Sequence, residues 1–145
     1  MTAFGEAFLF YRAARYDLHG KALLKTNPKE YIVDTGFRTW MAGYRVTDIG
    51  RLFENAVYFQ LLYEGWSVHV GKLYGREVDF VATKDGRVLY VQATDEMFAS
   101  ETREREIAPL KAIRDNHEKI AVVRQGSYDT DIDGIRIVSA RDFFL

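Results

Sequence analysis

The sequence predicts an α/β domain in which helices flank a mixed sheet, and three patterns lead to this fold class. A long amphipathic helix begins near Val46. Three closely spaced strand patterns follow it, and the last two are joined by Lys84-Asp85-Gly86, a good hairpin turn. A second helix and an almost wholly apolar strand come next, and such a strand is typical of a buried parallel position. From residue 46 onward the predicted order is therefore α-β-β-β-α-β, with one short extra strand.

The first 45 residues are predicted to form a helix followed by a β-hairpin. Apolar residues between Ala3 and Ala14 recur at helical spacing, which predicts a helix with one buried stripe. Residues 12–18 and 22–25 have strand patterns on either side of a glycine turn, and a short strand follows at Tyr31–Asp34. A helix and a hairpin are typical of the end of a winged-helix unit. This part is accordingly interpreted as a winged-helix remnant.

Residues 46–145 are predicted to contain the sheet and its flanking helices. The predicted helices cover residues 46–64 and 101–115, and the predicted strands are Trp66–Val70, Glu77–Ala82, Arg87–Ala93, Lys119–Arg124 and Gly134–Val138. Thr47 or Asp48 is the expected N-cap of the first helix, and Ser100 that of the second. Pro109 removes a backbone donor inside the second helix and is expected to kink it.

Composition limits the classes of function that need to be considered. The chain has 145 residues, 48% of them hydrophobic, which suffices for one well-packed core. Its 20 basic and 21 acidic residues nearly cancel, so no global field attracts nucleic acid or an anionic membrane. With no cysteine, disulfides and thiolate zinc sites are excluded. The three histidines, His19, His69 and His117, are scattered singly. Without a membrane-spanning segment or a secretion signal, the expected location is the cytoplasm.

Several enzyme signatures are missing from the sequence. The segment His19-Gly20-Lys21-Ala22 lacks both the earlier glycine and the hydroxyl residue of a phosphate-binding loop, so the chain is not expected to hydrolyse ATP by itself. A serine-nucleophile elbow, a paired-histidine helix and a cysteine nucleophile are also absent.

Asp79, Gln92 and Thr94 are expected to lie on the same side of two neighbouring strands. Carboxylates on adjacent strands can hold a divalent cation, because neighbouring strands lie roughly 4.8 Å apart and hard oxygens suit such ions. Alternation along the first strand puts Glu77, Asp79 and Val81 on one face. Glu54, in the apolar stripe of the preceding helix, is the acid there that could point at the sheet. The pattern is nearly that of a metal-dependent nuclease.

Two positions in this pattern lack the charge that catalysis requires. Gln92 is an amide where a second carboxylate would hold the metal, and Thr94 is a hydroxyl where a lysine would stabilise negative charge at phosphorus. Asp95 or Glu96 could replace the missing acid, although both follow the predicted end of the strand. On the residues alone, the simpler interpretation is that Glu54 caps the helix or pairs with an arginine, such as Arg51 or Arg76. Glu54 and Asp79 therefore remain weak metal-ligand candidates, and Mg²⁺ is the ion that would fit them.

Basic residues near the N-terminal hairpin and on the second helix are the candidates for binding nucleic acid. They are Arg12, Arg15, Lys21, Lys25, Arg103 and Arg105, and Lys29, Tyr16 and Tyr31 accompany the hairpin group. Cations interleaved with tyrosines can bind a phosphate backbone. Ordinary solvated surface charge explains the same residues equally well.

Six short motifs occur in an order that resembles a known family. They are Arg15-Tyr16-Asp17-Leu18-His19-Gly20-Lys21, Tyr31-Ile32-Val33-Asp34-Thr35-Gly36-Phe37, Gly50-Arg51-Leu52-Phe53-Glu54-Asn55, Glu77-Val78-Asp79-Phe80-Val81, Tyr90-Val91-Gln92 and Glu101-Thr102-Arg103-Glu104-Arg105-Glu106. On these motifs the chain resembles the C-terminal domain of unknown function of prokaryotic AAA-superfamily ATPases. The resemblance implies a core similar to the restriction-endonuclease-like, PD-(D/E)XK nuclease fold. It also implies that ATP would bind to a separate upstream module, so that this chain would be a C-terminal piece or a shortened product.

The resemblance implies a degenerate site at Glu54, Asp79, Gln92 and Thr94, which match the helix acid, the two strand acids and the lysine of an active nuclease. Glutamine is common in the family at the position of Gln92. The expected function is a non-catalytic or very weakly catalytic accessory domain of an ATPase that binds nucleic acid, DNA or RNA, or a protein partner. The alternatives are an active Mg²⁺-dependent nuclease acting on DNA or RNA, and a structural domain that forms homo-oligomers.

Overall fold

The computed structural model describes residues 9–36, 39, 43, 45 and 48–145. The strands in this part of the chain are β1 (Phe10–Ala13), β2 (Arg15–Asp17), β3 (Ala22–Leu23), β4 (Lys29–Ile32), β5 (Ser67–Leu73), β6 (Arg76–Lys84), β7 (Arg87–Met97), β8 (Glu118–Gly126), β9 (Asp131–Ile132) and β10 (Ile135–Ser139). The helices are α1 (Ile49–Tyr63), α2 (Ser100–Lys111) and α3 (Ala140–Phe144). None of them has the length and apolar character that a membrane crossing requires.

Eight strands form one mixed sheet in the order β3-β2-β5-β6-β7-β8-β10-β9. The pairs β2–β5, β7–β8 and β8–β10 are parallel, and the remaining pairs are antiparallel. The predicted α/β class, the helix-flanked mixed sheet and the α-β-β-β-α-β order are confirmed. The apolar strand predicted to be buried and parallel is β8, which has a parallel neighbour on each side.

The sheet separates two apolar clusters, one under each long helix. Phe53, Val57 and Leu61 of α1 pack with one face of the sheet, and Ile107 and Leu110 of α2 pack with the other. In β7 the two faces alternate as a regular strand requires. Val91 belongs to the α1-side cluster and Tyr90 to the α2-side cluster.

Strand β6 does not keep this alternation, because it contains a bulge. The pairing with β5 shifts between His69 and Gly71, so that β6 has one residue more than its partner over that stretch. Val78 and Val81 therefore both belong to the α2-side cluster, whereas Phe80 belongs to the α1-side cluster. The prediction that Val81 shares a face with Asp79 by simple alternation is wrong for this reason.

The N-terminal helix predicted for Ala3–Ala14 is wrong over its described part. Residues 10–13 form β1, which pairs antiparallel with β4, and the earlier part of the prediction lies outside the described residues. Residues 10–13 are extended because they pair with a segment almost twenty residues away. A local apolar pattern does not reveal such a partner. The predicted hairpin is confirmed as β2 and β3.

The N-terminal hairpin extends the main sheet. Strand β2 pairs in parallel with β5, in the register Arg15 with Val70. The division into residues 1–45 and 46–145 stays a prediction, but the hydrogen-bonded sheet runs across it. This continuity brings the hairpin next to the bulge in β6.

The helix ends agree with the sequence only in part. Asp48 is at the N-cap of α1 but makes no side-chain capping bond, and Ala99, rather than Ser100, is at the N-cap of α2. Pro109 lies inside α2, two residues before its end. The short helix α3 was not predicted. Its signal is Ser139, whose side chain accepts a hydrogen bond from the backbone N–H of Asp142.

Candidate functional site

Helix α1 brings the carboxylate of Glu54 next to strand β4. The neighbouring Phe53 is buried in the α1-side cluster, so this part of the helix lies against the sheet. The Tyr31 hydroxyl donates a hydrogen bond of 2.8 Å to Glu54 Oε1, and Lys29 Nζ lies 2.7 Å from the same oxygen. Burial, with the charge of Glu54 adding to it, raises the pKa of Tyr31. Glu54 therefore has a cation as its partner, but this cation is Lys29 rather than the arginines considered from the sequence.

Glu77, at the start of β6, lies among three basic side chains. Arg15 Nη1 is 2.7 Å from Glu77 Oε2, Lys29 Nζ is 2.7 Å from Glu77 Oε1, and Lys72 Nζ is 3.4 Å from Glu77 Oε2. Burial alone would raise the pKa of Glu77, but hydrogen bonds from Lys29 and Arg15 outweigh it and lower the pKa to about 2. Glu77 is therefore ionised at any ordinary pH.

Lys29 connects the two carboxylates, since its ammonium group lies 2.7 Å from an oxygen of each. Burial opposes its charge, but the two acids raise the pKa of Lys29 above its ordinary value. The sequence indicated Lys29 only as a surface cation. No local signal could reveal its role, because Lys29 and Glu77 are 48 positions apart.

Asp79 and Gln92 join β6 and β7 where the ladder between these strands ends. Regular pairing runs from Lys84 opposite Arg87 to Phe80 opposite Val91. Beyond it, Asp79 Oδ2 accepts a bond of 2.8 Å from the Ala93 N–H, and Gln92 Oε1 accepts one of 3.3 Å from the Asp79 N–H. The two side chains thus provide acceptors for the backbone N–H groups of Ala93 and Asp79, which lie beyond the regular pairing of β6 with β7. Both residues thus have a structural explanation.

Asp79 carries a perturbed carboxyl group. Burial raises the pKa of Asp79 to about 7, and repulsion by Glu54 adds to this, while the Ala93 N–H and Lys29 act in the opposite direction. Glu54 thus lies near enough to Asp79 for its charge to act on that carboxyl group. Glu54, Asp79, Glu77 and Lys29 are defined here as the carboxylate cluster.

Thr94 does not join the carboxylate cluster. It follows Tyr90 at the strand period, which puts it on the α2 side of β7, and it is only 1% exposed. Its hydroxyl has no hydrogen-bond partner among the described residues. The position that would hold the lysine of a nuclease is therefore a buried site away from Lys29.

Asp95 and Glu96 already have partners on the neighbouring strand β8. Asp95 pairs with Arg124, and Glu96 accepts a bond of 2.6 Å from Gln125 Nε2. A Cβ atom added at Gly50 would lie 4.0 Å from that of Asp95, so this acid lies beside the first turn of α1. A replacement of the missing acid by either residue would have to break these contacts.

The predicted basic residues do not form one surface patch with free charges. Arg12 pairs with Glu30, Arg15 with Glu77, and Arg105 with the adjacent Glu106. On α2, Arg103 Nη2 donates to the Ser127 carbonyl at 3.4 Å, and its Nε is buried without a partner among the described residues. The exposed Lys21 and Lys25 remain on the hairpin.

The carboxylate cluster is poorly suited to hold a divalent metal ion. An ammonium group already lies between two of its acids, and a further guanidinium neutralises Glu77. Gln92 directs its amide oxygen to a backbone N–H. In the described ranges, no group of three or more histidine, aspartate or glutamate side chains is arranged for a metal. Chemically, the arrangement is that of an internal salt-bridge network.

Comparisons with known proteins give one relative to report. An uncharacterized protein of Haemophilus influenzae is 42% identical over 140 residues, which cover 97% of this chain and 34% of that protein. The chain thus spans about a third of the length of that relative. No family model matches the chain, and no solved structure matches it.

Proposed function

We propose that this chain is a non-catalytic accessory domain with a restriction-endonuclease-like, PD-(D/E)XK core, located in the cytoplasm and belonging to a prokaryotic AAA-type ATPase. Its degenerate site serves as an internal anchor, and its surface binds a protein partner. The mixed sheet and the position of Glu54 and Asp79 are compatible with such a core. This chain matches about a third of the Haemophilus influenzae relative. That share supports the proposal that the chain acts as an accessory part of a longer protein.

The observation that carries the proposal is the ammonium group of Lys29 between Glu54 and Glu77. A nuclease needs this space for a dication and for the water that the dication activates. Here the acids instead hold strand β4 against α1 and β6. Removing Lys29 would leave carboxylates facing one another without a counter-charge, so the lysine and the acids depend on each other.

An apolar groove between β1 and α1 favours a protein partner over nucleic acid. The groove, of about 840 Å³, is lined by Tyr11, Val33, Phe59 and Tyr63 among others, and the Tyr63 side chain is 87% exposed. Aromatic groups exposed together are typical of protein contacts. By contrast, three of the six basic residues expected to bind phosphate, Arg12, Arg15 and Arg105, are paired with acids.

The catalytic status is tested by incubating plasmid DNA and a single-stranded RNA with the protein in Mg²⁺ and in Mn²⁺. The substrates are expected to stay intact, and calorimetric titration with either metal is expected to show no binding heat. The proposal would be refuted if the wild type and the exposed control Asp129→Asn cleave a substrate and Asp79→Asn does not.

Partner binding is tested separately by titrating labelled duplex DNA and by measuring mass with light scattering. The proposal expects at most weak DNA binding with a shallow salt dependence, because few phosphate contacts release few counterions. It also expects Tyr63→Ser to weaken capture of the remaining part of the longer protein. If the protein binds DNA tightly and Tyr63→Ser does not change this binding, a nucleic-acid role is favoured. If the protein forms a defined oligomer and Tyr63→Ser disrupts it, the structural assembly alternative is favoured.

An active Mg²⁺-dependent nuclease is the second candidate, because the raised pKa of Asp79 and its repulsion with Glu54 are also features of sites where a cation binds. The same cleavage assay decides between the two candidates.

A further inference from the structure

A second concave site lies on the other side of the sheet from α1. It is a cavity of about 590 Å³ between the β2–β3 hairpin and the segment that follows α2, and we name it the histidine cavity. Glu54 and Asp79 do not line it. All three histidines of the sequence do, although they are distant from one another along the chain. The cavity is therefore distinct from the carboxylate cluster.

Each histidine of the cavity lies against a tyrosine. The ring centroids are 5.0 Å apart for His19 and Tyr74, 6.3 Å for Tyr16 and His69, and 6.2 Å for Tyr90 and His117. His19 Nδ1 and the Tyr74 hydroxyl are in addition 2.9 Å apart. These three pairs supply flat, polarisable walls.

The inner wall between these pairs is apolar. Leu73, Val81 and Ile113 line it, and all three belong to the buried α2-side cluster. Burial of the His69 side chain lowers its pKa from the ordinary value. A ligand in the cavity would thus cover this wall and remove its apolar surface from water. If the ligand carries an aromatic ring, that ring can stack on the tyrosines and histidines.

The free charge of the cavity is positive. Lys21 and Arg114 line it, and neither has an ion pair within the described part of the chain. The acid of the cavity, Asp115, already accepts a bond of 2.6 Å from the Tyr90 hydroxyl and lies 3.6 Å from Lys119. Burial alone would raise the pKa of Asp115, but hydrogen bonds from the Tyr90 hydroxyl and the His117 N–H outweigh it and hold the pKa below its usual value. Both cations are therefore available to an anionic group in the cavity.

We propose that the histidine cavity binds a planar aromatic ligand that carries a negative charge, of about the size of a mononucleotide. Its volume lies within the range of about 300–1,000 Å³ that small-molecule sites occupy. The ring stacks on the histidine–tyrosine walls, and the anionic group binds Lys21 and Arg114. This binding is independent of the proposed accessory function, because none of these residues belongs to the carboxylate cluster.

The test uses calorimetric titration of the whole chain with two ring-bearing anions, adenosine 5′-monophosphate and 2-naphthoate. Their matched compounds are adenosine and 2-naphthamide, which lack the charge, and inorganic phosphate, which lacks the ring. At least one ring-bearing anion is expected to bind about tenfold more tightly than its uncharged counterpart and than phosphate, since a charge-assisted contact contributes roughly that factor. The better of the two anions distinguishes a nucleotide from an aromatic carboxylate.

Variants then locate the site. Lys21→Gln and Arg114→Gln are each expected to weaken the anion about tenfold and to leave the uncharged counterpart unchanged. Lys25→Gln, on the same hairpin but outside the cavity, and Arg141→Gln are the matched controls and should bind as the wild type does. Thr83→Trp, at an exposed lining position, should fill the cavity and abolish both kinds of binding.

Three results would overturn the proposal. The first is that neither ring-bearing anion gives heat at the limit of its solubility. The second is that phosphate binds as tightly as the ring-bearing anions. The third is that binding survives Thr83→Trp while the far-ultraviolet circular dichroism and the melting temperature of this variant match those of the wild type.

Discussion

Asp79→Asn is expected to make the protein more stable at neutral and alkaline pH. The substitution removes the charge that burial and Glu54 disfavour, and it keeps an oxygen that can accept the Ala93 N–H. In the wild type the folded chain binds a proton at Asp79 up to about pH 7, whereas the unfolded chain releases it near the ordinary value of 3.8. Between these values the folded state holds more protons, so the contribution of Asp79 to stability falls as the pH rises.

Folding raises the pKa of Asp79 by about three units, and each unit corresponds to about 1.36 kcal/mol. Ionised Asp79 can therefore destabilise the folded state by at most roughly 4 kcal/mol. Water that reaches the half-buried carboxylate and adjustment of Lys29 reduce this value. The expected gain in the free energy of unfolding is therefore about 1–3 kcal/mol at pH 8. It falls below about 1 kcal/mol near pH 4, where the unfolded chain also begins to bind the proton at Asp79.

The measurement is urea unfolding of wild type and variant at several pH values between about 4 and 8. The difference between the two proteins is the relevant quantity, because all other titratable groups are common to both and their contributions cancel. Asp129→Asn, an exposed control, should give a difference that does not change with pH. A constant difference for Asp79→Asn, or a wild type that is the more stable protein at pH 8, would refute this account of the carboxylate cluster.

Three further substitutions test the packing around the sheet by urea unfolding. Lys29→Met should lower the free energy of unfolding by about 2 kcal/mol, because it leaves two carboxylates without their shared cation, and an unchanged value would mean that the network contributes nothing. Thr94→Val should leave stability unchanged or raise it by about 1 kcal/mol, since it replaces a buried hydroxyl that has no partner in the described residues, and a clear loss would reveal an unrecognised hydrogen bond. Gly71→Ala should cost roughly 1–3 kcal/mol, because the added methyl group would lie 2.9 Å from the Val78 Cβ, and a stability equal to that of wild type would show that the bulge adjusts freely.

The two long helices and the main strands after residue 46 were predictable because their patterns are local. The apolar stripe of α1 and the turn at Lys84-Asp85-Gly86 lie within single short windows, and the structure has the helix at Ile49–Tyr63 and the turn between β6 and β7. The left-handed backbone that this turn requires is present at Asp85, with φ of 50°, and at Gly86, with φ of 76°. Here the sequence contains all the interactions that decide the conformation.

The site was predictable only as a set of positions. Glu54 and Asp79 approach each other because a helix and a strand with clear patterns carry them. The bulge in β6 was not predictable, since it depends on the register with β5, and for that reason the expected face of Val81 was wrong. Strand β1 was mistaken for a helix for a similar reason, because its partner is β4.

By itself, the sequence determined the α/β class, the order of the main elements after residue 46 and the uncharged side chains at Gln92 and Thr94, because periodicity and residue type are local properties. Only the tertiary structure decided that Lys29 lies between Glu54 and Glu77 and that three scattered histidines line one cavity. These contacts join segments far apart in the chain. Their energies depend on burial and on distances of a few ångströms, which no short window of sequence specifies.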